Sequence, residues 1–149
     1  MSLNEIDFVA SRTAYTLNLN GPAVSLYSAC STSLLAIAQA VQSIRDNRCD
    51  IAIAGGIAIT APVKSGHLYQ EGAMYSNDGH TRPFDAAANG TVFSDGGGVV
   101  LLKRKTDAIK DGDFIYACIK GIGINNDGFD KSSFTAPSVI GQAGVIDQA

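Results

Sequence analysis

No basic run, no paired cysteines and no long apolar stretch occur in this sequence of 149 residues, and each absence removes a class of function. Lys and Arg total 11 against 14 Asp and Glu, for a formal net charge of -3. With no Lys/Arg patch interleaved with aromatics, nucleic acid and anionic membrane are poor partners. The three cysteines, Cys30, Cys49 and Cys118, form no CxxC pair and have no His at ligand spacing, so neither a zinc site nor a disulfide framework is indicated. A reducing, cytoplasmic compartment suits them. The opening residues, Met1-Ser2-Leu3-Asn4-Glu5, lack the basic flank and apolar core of a signal peptide. Met1 to Leu3 are compatible with a cloning remnant, and no apolar run is long enough to span a bilayer. Repeats, low-complexity tracts and proline-rich linkers are absent too, so residues 1–149 read as one domain or one part of a larger one.

What is present is apolar: 46% of residues are hydrophobic and 17% charged, with mean hydropathy +0.11. That is more than the core of so short a chain needs, which implies a surface covered by something else. From Ala23 to Ser28, after the turn pair Gly21-Pro22, Val24 and Leu26 alternate with Ser25 and Tyr27, the pattern of a strand with one apolar face. Leu34, Ile37, Ala38, Val41 and Ile44 then follow helical spacing. The run Ile51-Ala52-Ile53-Ala54, closed by Gly55-Gly56, predicts a strand covered on both faces, as in a parallel sheet. Strand, helix and buried strand make a βαβ unit. The stretch from Pro62 to Gly90 is irregular and longer than an ordinary connection. A second apolar run from Val99 to Lys103, a short helix capped by Thr106, a turn at Gly112-Asp113 and a long strand from Phe114 to Ile124 complete the pattern. A helix is expected from Gly141 to Ala149, with no cap at its end, as though the chain were cut there.

Cys30 lies where strand hands over to helix, among small residues: Ser28-Ala29-Cys30-Ser31-Thr32-Ser33. A helix N-terminus presents unpaired N–H groups and partial positive charge, which favour thiolate over thiol and can stabilise an oxyanion. On position alone this nucleophile reading competes evenly with a plain one, since most free cysteines are small buried hydrophobes. For Cys49 and Cys118, one before a strand and one within a strand, packing is the better reading. His67 and His80 fall in the irregular stretch, where solvated loop histidines are the rule. Asp78, Asp85 and Asp95 do not match a calcium loop and are better read as turn and cap formers. Gly121-Ile122-Gly123 lacks the third glycine and the helix of a dinucleotide fingerprint.

Several segments in series resemble one family. Leu17-Asn18-Leu19-Asn20-Gly21-Pro22 and Ser28 to Leu34 resemble the active-site stretch of modular ketosynthases, and Cys49 to Gly56 is similar to the strand that follows it. Ser76 to Asp85, Gly90 to Gly96, Val99 to Arg104, Asn125-Asn126-Asp127-Gly128 and Thr135-Ala136-Pro137-Ser138 continue the series in register. The chain is identified as a member of the β-ketoacyl synthases of polyketide and mixed peptide-polyketide type. Asp95, where many relatives carry Glu, and the loose Gly97-Gly98 depart from the pattern.

The resemblance implies a partial α/β, thiolase-like (condensing enzyme) fold, mainly the later part of the N-terminal half plus the start of the C-terminal half. It implies that Cys30 takes an acyl chain from the phosphopantetheine of an acyl carrier protein, its backbone N–H contributing to an oxyanion hole. Decarboxylation of a malonyl-type extender then drives a Claisen condensation. Met74 and Tyr75 fall near the family's acyl pocket, although packing under a loop explains them as well. The segment Ala23 to Ser28 corresponds to the strand that pairs across a homodimer axis. No directly bound cofactor is implied. The family's catalytic histidine motifs, His-Gly-Thr-Gly-Thr and Asn-Ile-Gly-His, do not occur in this sequence, and neither His67 nor His80 replaces them. An inactive dimerisation or docking piece of the same fold is the alternative. A degradative thiolase fits the Ser31-Thr32-Ser33 and Arg82-Pro83-Phe84-Asp85 neighbourhoods less well, and a decarboxylating loading ketosynthase would carry Gln in place of Cys30.

Overall fold

Three helices of this chain stop at a residue in the left-handed region, which sets their lengths. The structure is a computed structural model describing residues 5–61 and 66–149; Met1 to Leu3 and residues 62–65 of the expected loop lie outside the described residues. Helix α1 (Val9–Thr16) follows a 3-10 turn at Ile6–Phe8 and ends at Asn18 (φ 53°), with the Leu19 amide donating to the Ala14 carbonyl at 2.8 Å. Helix α2 (Thr32–Arg45) ends in the same way at Asn47 (φ 57°), with Arg48 donating to Ser43 at 2.9 Å. Both are Schellman ends closed by asparagine, whose short polar side chain tolerates this conformation. Strands β1 (Ile51–Ala58) and β2 (Gly96–Lys103) pair in a two-stranded sheet. Helix α3 (Lys105–Asp111) stops at Gly112 (φ 75°), and α4 (Val139–Gln148) starts at Ser138, whose hydroxyl accepts from the Gly141 amide at 3.1 Å.

The chain divides into two compact units, residues 1–55 with 99–149, and residues 56–98. The buried apolar residues Ala38, Ile44, Ala54 and Ala108 all lie in the first. Arg104 fastens α2 to the start of α3 there: Nη1 donates to Asp50 at 2.9 Å and to Asp107 at 3.3 Å, and Nη2 to Asn47 at 2.8 Å and the Ile44 carbonyl at 3.1 Å. The planar five-donor fork of arginine suits this divergent set, and its carboxylate partners, Asp50 foremost, raise its pKa. Lys103 bridges Asp111 at 2.5 Å and Asp113 at 2.6 Å beyond the end of β2.

Several expectations are corrected. The two strands run antiparallel, since Arg104, after β2, reaches Asp50, before β1, while Gly97 of β2 lies against Ile57 of β1. An apolar run reports burial, not strand direction; the βαβ unit, which joined residues 23–28 to β1 through α2, is not seen among the described residues because 23–28 forms no strand. Nor is β1 covered on both faces: Ile51, Ile53 and Ile57 are 48%, 41% and 68% exposed. Residues 23–28 and 114–124 form no strand, because a strand exists only with a ladder partner and none is supplied by the described residues of this chain. Cys118 is accordingly exposed rather than inside a strand. Thr106 lies within α3, whose N-cap position is Arg104. Helix α1, for which no element was expected, buries no residue.

The bare apolar surface is extensive. The chain exposes 11994 Å², whereas a self-contained protein of 15.5 kDa exposes about 7,200 Å². Leu34, Val99, Leu101, Phe114 and Tyr116 are all more than two-thirds exposed, in line with a composition too apolar for its own core. Among the described residues, no helix is long and apolar enough to cross a membrane.

Candidate active site

Cys30 stands in the middle of a 3-10 turn, Ala29–Ser31, that runs directly into α2. Its side chain is exposed. The residue before it, Ala29, has φ +46°, a conformation that costs an L-residue roughly 1–2 kcal/mol. Hydroxyls hold that bend. Thr32 Oγ1 accepts the Ser28 amide at 2.9 Å and donates to the Ala29 carbonyl at 2.8 Å. Ser31 Oγ donates to the Ser28 carbonyl at 2.9 Å, which leaves the Ser28 hydroxyl to donate across the 2.6 Å contact to Ser31 Oγ. In the sequence, the residues around Cys30 stand out only as small. Their part in stabilising a strained turn was not foreseen, although a Ser/Thr pair one and two residues past a nucleophile is a visible signal for it.

Met74 and Tyr75 belong to the second unit. Met74 is half exposed, and Tyr75 stacks on His67 at 4.8 Å and meets Phe93 edge-on at 5.4 Å. His67 Nε2 lies 2.8 Å from the Ser76 carbonyl, which can only accept, so this nitrogen carries the ring proton. Backbone bonds tie the segment to 90–92: Ser76 N donates to Thr91 O and Thr91 N to Met74 O, both at 2.9 Å.

Ser76, 1% exposed, is the hub of this unit and was missed in the sequence. Its hydroxyl accepts the His80 amide at 3.1 Å, and its one proton lies between Asp78 at 2.8 Å and Asn89 at 2.9 Å. The charged carboxylate is the stronger acceptor. Two of the three aspartates form local turns, Asp78 accepting from His80 N and Asp85 from Ala87 N, whereas Asp95 makes neither turn nor cap and instead accepts from Thr60 N, 35 residues back. His80 thus enters the network through its backbone.

Arg82, at 2.9 Å, and then the Ser76 hydroxyl hold the Asp78 carboxyl far below its ordinary 3.8. A carboxylate with a depressed folded pKa stabilises above its unfolded value and loses that contribution as pH falls through the folded one. Loosening of residues 76–91 is therefore expected as pH drops below about 4, and Asp78→Asn should flatten this acid limb. Amide exchange at His80 and Thr91 from pH 6 to pH 2 measures it; identical acid limbs in both proteins would contradict the assignment.

Known proteins are similar to this chain in sequence and in fold. Residues 2–108 match the family model described as "Beta-ketoacyl synthase, N-terminal domain". The chain is 44% identical over 146 residues to a phenolphthiocerol/phthiocerol polyketide synthase of Mycobacterium tuberculosis, covering 98% of this chain and 10% of that protein. It is also 44% identical over 138 residues to polyketide synthase PksN of Bacillus subtilis, covering 93% and 2% respectively. Among solved structures, ketosynthase twelve of the bacillaene polyketide synthase of Bacillus amyloliquefaciens superposes with TM-score 0.90 at 41% identity, over 95% of this chain and 25% of that one. The fold is that of the thiolase-like condensing enzymes, of which this chain spans about a quarter of a solved ketosynthase. The chain belongs to the β-ketoacyl synthase family, and its relatives there are ketosynthases of modular polyketide synthases.

Proposed function

We propose that residues 1–149 are part of one ketosynthase domain and that Cys30 is its acyl-accepting nucleophile. The observation that carries the reading is the exposed thiol on the bend into α2, inside the span matched by the family model. The Cys30 sulfur attacks the thioester carbonyl of an acyl chain borne on the phosphopantetheine of an acyl carrier protein. The new Sγ–C bond forms as the pantetheine C–S bond breaks, and the pantetheine thiol leaves with a proton. The Cys30 backbone N–H stabilises the tetrahedral oxyanion. A malonyl-type extender on a second carrier then loses CO2, and its carbanion attacks the acyl carbonyl and releases the cysteine thiolate.

Decarboxylation calls for groups that polarise the malonyl thioester, and the family's two histidine motifs do not occur in this sequence. Condensation is therefore assigned to the complete domain, with residues 1–149 supplying the acylation half. No cofactor binds the chain directly, and the compartment is cytoplasmic. Met74 and Tyr75 line the acyl pocket. Residues 23–28, with Val24 and Tyr27 exposed and no ladder partner among the described residues, pair with their counterpart in a homodimer.

The test is the complete ketosynthase carrying these residues, supplied with a short acyl chain on one carrier protein and malonyl on another. A β-ketoacyl carrier, smaller by one CO2 than the summed acyl units, is the expected product by mass. Carriers that bind but emerge unchanged would instead favour a docking piece without chemistry.

A further inference from the structure

We propose that Thr32 is a positioning residue for Cys30, holding Ala29 in its left-handed conformation so that the thiol is presented at the end of α2; this rests on the reading of Cys30 as the nucleophile. Thr32 uses both functions of its hydroxyl on either side of the strained residue. The lone pair takes the Ser28 N–H at 2.9 Å and the proton goes to the Ala29 carbonyl at 2.8 Å. That carbonyl also accepts the Thr32 backbone N–H, so side chain and main chain of one residue close on the same oxygen. Ala29 has φ +46° without the freedom of glycine, and such a conformation persists only where its surroundings over-determine it. The role of Thr32 needs no contact with substrate or sulfur; it acts through the peptide units on both sides of Ala29.

The second hydroxyl pair does not duplicate this. Ser28 and Ser31 bond each other and the Ser28 carbonyl, one peptide before the bend, and leave the Ala29 carbonyl to Thr32. Thr32→Val keeps shape and β-branching but loses both bonds, whereas Thr32→Ser keeps both.

The experiment measures the rate of acyl transfer to Cys30 in the complete ketosynthase, from a short acyl-pantetheine thioester over a range of concentrations. Thr32→Val is expected to lower the maximal rate about tenfold, the equivalent of one net hydrogen bond, with the half-saturating thioester concentration unchanged. Thr32→Ser should restore it. The discriminating variant is Ala29→Gly, because glycine adopts φ +46° without penalty. In that background the loss on adding Thr32→Val should shrink to about threefold or less. A general packing defect at Thr32 would give the same tenfold loss in both backgrounds, and that result overturns the proposal. So does a Thr32→Val enzyme that acylates at the unsubstituted rate. Failure of the unsubstituted enzyme to acylate Cys30 at all overturns the nucleophile assignment instead. Far-UV circular dichroism and the thermal midpoint show that each variant is folded.

Discussion

Replacing Cys30 with alanine is expected to reduce acyl transfer by about 10⁴-fold or more while moving the thermal midpoint by no more than about 2 °C. The first half follows from what remains at the turn. Ser28, Ser31 and Thr32 are the neighbouring hydroxyls, and all three are engaged in hydrogen bonds that hold the bend. A serine or threonine hydroxyl attacks only when a base takes its proton, and Thr32 gives its own to a carbonyl. No substitute nucleophile stands ready at this turn. The second half follows from exposure: the Cys30 side chain fills no core, so its removal leaves no cavity, and surface truncations usually change stability by about 0.5 kcal/mol or less. Activity and stability therefore separate at this position, as a chemical role requires and a packing role forbids. Cys118→Ala, also at an exposed thiol, should leave both unchanged. Rates from single-turnover labelling and midpoints from calorimetry make the comparison.

Gly90→Ala is expected to be among the most damaging single changes in residues 66–98, costing about 4 kcal/mol or more. Gly90 has φ +136°, and a Cβ there would lie 2.6 Å from the Ser76 nitrogen and the Tyr75 carbonyl carbon and 2.7 Å from the Tyr75 oxygen. These are backbone atoms and cannot swing aside as a side-chain tip would. The chain at 90 must move off, and the two bonds joining Met74 and Ser76 to Thr91 go with it. The bonds from Asn89 to Asn77, at 2.5 Å, and from Ser76 to Asn89 are lost as well. Each net bond contributes about 1 kcal/mol, in addition to the backbone strain. Gly79→Ala is the contrast: φ is +76°, but a Cβ there meets nothing within 4 Å, so only the conformational cost of about 1 kcal/mol remains. Protection of the Ser76 and Thr91 amides from exchange should collapse in Gly90→Ala and survive in Gly79→Ala. Equal protection in the two would contradict the close approach at Gly90.

What could be read from the sequence divides along the range of the interactions involved. Helix α2 was legible because Leu34, Ile37, Ala38, Val41 and Ile44 repeat at helical spacing, and the structure places Thr32–Arg45 there with Ala38 and Ile44 buried. The turn at Gly112 and the run inside β1 were legible for equally local reasons. Strand pairing was not, since it depends on residues far away in the chain or outside it. The alternation in 23–28 and the long apolar segment 114–124 propose strands, but neither finds a ladder partner among the described residues. Nor do the apolar runs inside β1 and β2 give any sign of the direction in which the two strands pair.

At the candidate site, the position of Cys30 at the head of a helix was legible from Ser28-Ala29-Cys30-Ser31 alone. The left-handed Ala29 was not, because alanine gives no sign of positive φ. Arg104 and Ser76 were passed over as members of familiar segments, yet each binds groups that sequence spacing cannot bring together. Arg104 reaches back to Asp50, and Ser76 forward to Asn89.

The central claim, that Cys30 receives the acyl group, is tested most directly by intact mass and peptide mapping. The chain is exposed at neutral pH to a short acyl-pantetheine thioester, with Cys30→Ala as control. A single acyl adduct on the Cys30 peptide, absent from the Cys30→Ala protein and exceeding any label on Cys49 or Cys118, is the predicted result. Equal labelling of the three cysteines, or an adduct that persists in the Cys30→Ala protein, would contradict it.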